Sequence, residues 1–115
     1  MNQHDGVQSA AALNRVLEHD IMAARKGDWN AKHALERTFM PLMTSLAEKR
    51  TSDIAKINRY LDAGKRGLSI AVKKYNPKAG PDRFRIFALN FIEAEMDAVD
   101  RASTGGFWAR LFGRH

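Results

Sequence analysis

The residues able to do chemistry are arranged poorly for catalysis. The chain has no cysteine, which excludes a disulfide framework and a thiolate metal site. It has four histidines, none in a His-x-x-x-His pair, so no helical zinc site is expected. No serine sits in a nucleophile-elbow context. The Gly-x-x-Gly of Gly64 and Gly67 has no strand before it and no Gly-Lys-Ser/Thr, which argues against a phosphate loop. Glu93, Glu95, Asp97 and Asp100 resemble a carboxylate cluster, but helical spacing scatters them into a solvated acidic face. We therefore expect no catalytic residue, no metal, no cofactor and no enzyme. The informative stretch runs from Tyr60 to Ile92, where basic and aromatic side chains interleave. Arg83 and Arg85 would hold a nucleic-acid backbone while bases stack on Phe84, Phe87 and Phe91. The competing reading makes these phenylalanines, at helical spacing, part of a core.

The charge pattern points the same way. Residues 1–58 carry eight basic and seven acidic side chains, whereas residues 59–85 carry eight basic and two acidic. Residues 86–100 carry four acidic and no basic side chains. The formal net charge of +6 is thus concentrated in one stretch, a local field that attracts phosphate polymers or acidic partners. The alternative is a basic face that only aids solubility. At 115 residues, 44% apolar and 28% charged, the chain is long enough for one globular domain with its own core. The polar N-terminus does not read as a signal peptide, and no apolar run approaches the ~20 residues of a membrane span. A cytoplasmic protein is expected, and the starting methionine reads as that of a natural short chain.

Helices must position these residues, because strand alternation and hairpin turns are missing. The first helix is expected from Asp5 to Lys26, with Leu13, Val16, Leu17, Ile21 and Ala24 as its apolar stripe. Gly27 stops it, and Asp28 caps the next. The second helix covers Trp29 to Arg50, lined by Leu35, Phe39, Leu42, Met43 and Leu46, with a kink expected at Pro41. Thr51-Ser52-Asp53 caps a third helix reaching Tyr75, whose buried face is Ile54, Ile57, Leu61, Leu68, Ala71 and Val72. Gly64 and Gly67 share a face of it, where another helix can approach closely; the alternative is a break near Gly64. Asn76 to Asp82 is a loop, and Asp82 is expected to cap a fourth helix from Arg83 to Ala102. That helix is apolar on most sides, so it is either central or offers a face to a partner. Thr104-Gly105-Gly106 should end it. The expected fold is all-α: a compact bundle of about four helices over residues 1–103, then a basic amphipathic tail over 104–115. The tail could form a short fifth helix, packing back on the bundle or meeting a membrane surface or partner.

An ordered set of residues resembles region 2 of the sigma-70 family of bacterial sigma factors. It comprises Leu61-Asp62-Ala63-Gly64, Gly67-Leu68, Ala71-Val72, Tyr75-Asn76-Pro77-Lys78-Ala79-Gly80, Phe84, Phe87-Ala88 and Ile92. Upstream, Ala23 to Ala31, then Leu35, Phe39, Pro41-Leu42 and Leu46-Ala47, is similar to the opening helices of that region. The resemblance spans Asp20 to Arg101. It implies that Arg59, Asp62, Ala63, Gly64, Lys65 and Leu68 lie on or near a surface docking the β′ clamp helices of core RNA polymerase. It also implies that the segment from Tyr75 to Phe91 captures single-stranded promoter DNA of the −10 element. Lys73, Lys74, Arg83 and Arg85 would take phosphates, and Tyr75, Phe84, Phe87, Asn90 and Phe91 would line the base-binding surface.

The chain departs from the family pattern where Arg59 and Ala63 replace usual acids, where Asn90 stands at a common tryptophan, and in the acids after Ile92. Nothing after Arg101 resembles the family's helix-turn-helix. The leading expectation is a sigma-like transcription protein. The second is a sigma mimic that binds an anti-sigma factor or polymerase without opening DNA, and the third is a helical scaffold.

Overall fold

The computed structural model describes the backbone of residues 2–111 and the side chains of residues 11–102. Four helices, α1 (Asn2–Arg25), α2 (Trp29–Arg50), α3 (Ile54–Lys74) and α4 (Pro81–Leu111), form an all-α bundle. A single 3₁₀ turn, Pro77–Ala79, joins α3 to α4, and no strand occurs among the described residues.

The helix ends follow from local chemistry. Gly27 takes φ 97°, its N–H bonds the Ala24 carbonyl, and the Asp28 N–H reaches back to the Ala23 carbonyl. This pair of bonds closes α1 in a Schellman motif. The Asp28 carboxylate then accepts the Ala31 N–H at 3.1 Å and starts α2. Asp53 does the same for α3, accepting from Ala55 N–H at 3.0 Å, while its own N–H donates to Thr51 Oγ1. α2 is continuous through Pro41, and α3 is continuous through Gly64, so the two-helix alternative for that segment is excluded.

The core is built from rows at four-residue spacing. Leu35, Phe39, Met43 and Ala47 of α2 and Phe84, Ala88, Ile92 and Met96 of α4 join one cluster with Tyr60, Ala63, Leu68, Ala71 and Val72 of α3. Leu17 and Ile21 of α1 complete the cluster. α3 and α4 form the most extensive helix pair. A Cβ placed on Gly67 would lie 2.7 Å from Ile92 Cα and N and closer still to the Phe91 carbonyl oxygen, so the two backbones touch there. The close helix approach expected of the glycine pair is made by Gly67, to α4; Gly64 is met by the Met43 and Met96 side chains instead.

Four expectations are corrected. Leu13 and Val16 are 62% and 57% exposed: α1 meets α4 at Asn14, whose side-chain N–H donates to Asp82 Oδ1 at 3.1 Å, and the core draws on the Leu17–Ile21 side. Ile54, first in its helix, is 74% exposed. Asp82 does not cap α4, which starts one residue earlier at Pro81, where a fixed φ and a missing N–H suit a first helical position. Thr104-Gly105-Gly106 does not end α4, which runs on to Leu111. Glycine stops a helix by adopting the left-handed conformation, as Gly27 does; inside a helix it costs only ~1 kcal/mol. The possible fifth helix of the tail is replaced, up to Leu111, by this continuation of α4. The expectations that rest on the side chains of residues 103–115, and on the backbone of 112–115, lie outside the described residues.

Candidate nucleic-acid interface and docking face

The basic-aromatic stretch folds into a groove at the α3–α4 turn. Asn76 Oδ1 accepts the Lys78 N–H at 3.0 Å, Pro77 opens the 3₁₀ turn, and Gly80 (φ 87°) reverses the chain into α4. Phe84 anchors the corner. It is fully buried, edge-on to Tyr75 (5.4 Å between ring centroids) and to Phe39 (5.8 Å). The resulting groove holds about 570 Å³ between Lys74, Asn76, Arg83, Ile86, Phe87 and Asn90, a volume in the range of ligand sites.

The aromatic residues divide. Phe84 and Tyr75 offer no free ring, being 0% and 4% exposed, and form the groove floor; a stacking role for either is removed. Phe87 and Phe91 are half-buried, edge-to-face at 5.0 Å, and the Lys74 ammonium lies 5.9 Å from the Phe91 ring. They sit on the neighbouring row of α4, at the border between core and solvent. Arg83 and Asn90 are exposed on the groove. Arg85 and Lys73 are exposed but do not line it. Sequence reasoning missed Ile86, which is 67% exposed and puts an apolar edge on the groove.

The Tyr75 hydroxyl is buried and has no hydrogen-bond partner among the described residues. Burial raises its pKa above the usual phenol value; Glu18 adds to the shift and Arg25 opposes it.

The expected docking residues also separate. Arg59 and Asp62 are exposed and Lys65 is half-buried. Ala63, Gly64 and Leu68 are buried against the other helices, so a direct role in docking is removed for these three. Arg66, counted in the basic stretch but given no docking role, is exposed near this face and makes a weak contact to Glu95 at 3.4 Å.

The acids of α4 are not simply solvated. Arg50 of α2 bonds Asp97 at 2.9 Å and Asp100 at 2.8 Å. The Tyr60 hydroxyl donates to Asp100, and the Arg50 guanidinium lies 5.6 Å from the Tyr60 ring. Burial opposes the charge on Arg50, but the bonds and fields of Asp97 and Asp100 prevail and raise its pKa. The hydrogen bond to Asp100, with burial, raises the Tyr60 pKa as well. This clasp ties α2, α3 and α4 together at the end of the bundle away from the groove.

Compared with protein-family models, curated proteins and solved structures, the chain matches none. Fold and site therefore define its class: an all-α four-helix bundle with a basic, aromatic-edged groove at one helix turn. No helix among the described residues is long and apolar enough to cross a membrane.

Proposed function

We propose that this protein is a sigma-like, cytoplasmic transcription protein that binds unpaired promoter DNA in the α3–α4 groove and core RNA polymerase on the outward face of α3. The observation that carries the reading is the groove itself: half-buried Phe87 beside Lys74 and Arg83, over a floor of Tyr75 and Phe84, with Phe91 packed behind Phe87 and outside the lining. Rings and cations in that arrangement suit single-stranded nucleic acid, whose bases stack and whose phosphates pair. The ordered resemblance to sigma region 2 supports the choice of promoter DNA and polymerase. Docking would fall to Arg59, Asp62 and Lys65, with Arg66 added.

The test is fluorescence anisotropy with a labelled single-stranded −10 oligonucleotide. Phe87→Ala is expected to weaken binding by about 1–3 kcal/mol, the worth of one stacked base. The log–log salt dependence should have a slope of about −0.7 per phosphate contact, and Arg83→Ala should make it shallower. In a pull-down with core polymerase, Asp62→Lys should reduce recovery. Wild-type protein that ignores the oligonucleotide at low salt would end the DNA half of the proposal.

The sigma-mimic reading retains support from one feature. Residues 86–100 of α4 carry four acids and no base, and although Arg50 and Arg66 pair with three of those acids, the helix beyond the groove offers phosphates no cation of its own. A chain that binds polymerase or an anti-sigma factor tightly and leaves the oligonucleotide free would establish it.

A further inference from the structure

A second cavity, of about 190 Å³, lies between the α1–α2 turn and α3. Its floor is apolar, made by Leu35, Leu68 and Val72, all buried. Its rim is cationic: Arg25 from the end of α1, Lys32 from α2, and Lys65 and Lys73 from α3. The acid on its wall, Glu36, is engaged by His33 Nδ1 at 3.2 Å. Among the described residues, none of the four rim cations has an ion-pair partner.

We propose that this cavity is a docking pocket for an acidic, amphipathic segment of a partner protein. One apolar side chain of that segment rests on the floor, and flanking carboxylates meet the four cations. Three features select this occupant. The cavity has one third the volume of the groove, room for a side chain but not for a base with its sugar. A bare phosphate could meet the rim but would leave the apolar floor uncovered, whereas an amphipathic segment covers both. The uncompensated rim favours carboxylates over a neutral peptide and steers them in from a distance.

The field extends along α3, where Arg59 and Arg66 are also exposed and Asp62 is the one acid of the helix. Lys65 and Lys73 stand eight residues apart, about 12 Å along the axis, so acids two turns apart on a partner helix reach both. The inference is independent of the groove: a chain that ignores DNA can still bind such a segment, and the reverse.

The experiment is a short-peptide display selection on the whole chain, counter-selected against a Lys32→Glu, Lys73→Glu variant. Both positions are exposed, and circular dichroism checks that the variant keeps its helices. Amide NMR then maps the enriched peptides and, separately, oligothymidylate. The expected result is a consensus of Asp and Glu around an apolar residue, shifting the Gly27, Leu35 and Ser69 amides and binding the variant roughly tenfold more weakly. No enrichment, peptides lacking acids, or equal binding to the variant would overturn the proposal. So would oligothymidylate shifting the pocket amides where the peptides do not. Shifts by oligothymidylate at Asn76 and Phe87 report on the groove alone, which keeps the two readings apart.

Discussion

Two glycines three residues apart look equivalent in the sequence, yet their surroundings differ in kind. A methyl group on Gly67 would strike the Phe91–Ile92 backbone, which cannot yield without separating α3 from α4. At Gly64 the nearest atoms are the Met43 sulfur at 2.8 Å, Met43 Cγ at 3.2 Å and the Met96 methyl at 3.3 Å, all in flexible side chains and none in a backbone. Gly67→Ala should therefore destabilise by roughly 3 kcal/mol, the upper part of the overpacking range, despite alanine's helix propensity. Gly64→Ala should change stability by less than about 1 kcal/mol. Urea unfolding of both variants checks the contrast, and similar losses at the two sites would contradict it.

Tyr75 provides a second single-residue prediction: its ring packs on Phe84 while its hydroxyl is buried without a partner among the described residues. Tyr75→Phe keeps the ring and removes the orphan group, so it should stabilise by about 1 kcal/mol in the same measurement.

At the scale of elements, much was legible in the sequence because caps are local. Gly27-Asp28 and Thr51-Ser52-Asp53 fix the ends of three helices with chemistry contained in a few residues. The far end of α4 was misread because a glycine pair signals a stop only if its backbone turns left-handed, which composition does not decide. The groove was half legible: the basic loop and the rings were visible, but not which rings turn inward. Phe84 falls on the Ala88–Ile92–Met96 row, and Phe87 and Phe91 on the row beside it, so a small rotation of α4 decides between core and groove. The smaller cavity draws on α1, α2 and α3 at once, and no window of sequence contains it.

The Arg50 clasp belongs to this scale too, since it joins α2 to α4 across fifty residues. With both aspartates about half exposed, water screens the pairs, and each is worth no more than about 1 kcal/mol. A double-mutant cycle of Arg50→Ala and Asp100→Asn should give a coupling of about 0.5–1 kcal/mol that shrinks in high salt. A coupling of zero would mean the acids of α4 are free after all.

Across the whole molecule, the two buried tyrosines set how the fold answers to alkali. Tyr60 is held protonated by its bond to Asp100 and by burial, and Tyr75 by burial and the field of Glu18. Both therefore ionise at higher pH in the folded chain than in the unfolded one. Between those values the native state binds more protons, so stability must fall as pH rises. The contribution is complete below the unfolded phenol value of about 10 and is lost as pH climbs through the folded values. Ionising either phenol places a negative charge in the core, beside Asp100 for Tyr60 and within reach of Glu18 for Tyr75, so alkali should loosen both ends of α3. Unfolding free energies measured at increasing pH above 9 should decline for the wild type. The decline should be shallower in a Tyr60→Phe, Tyr75→Phe double variant, which has lost both titrating groups. An identical slope in the two proteins would show that these hydroxyls ionise as freely in the bundle as in water, and that neither is held as its geometry indicates.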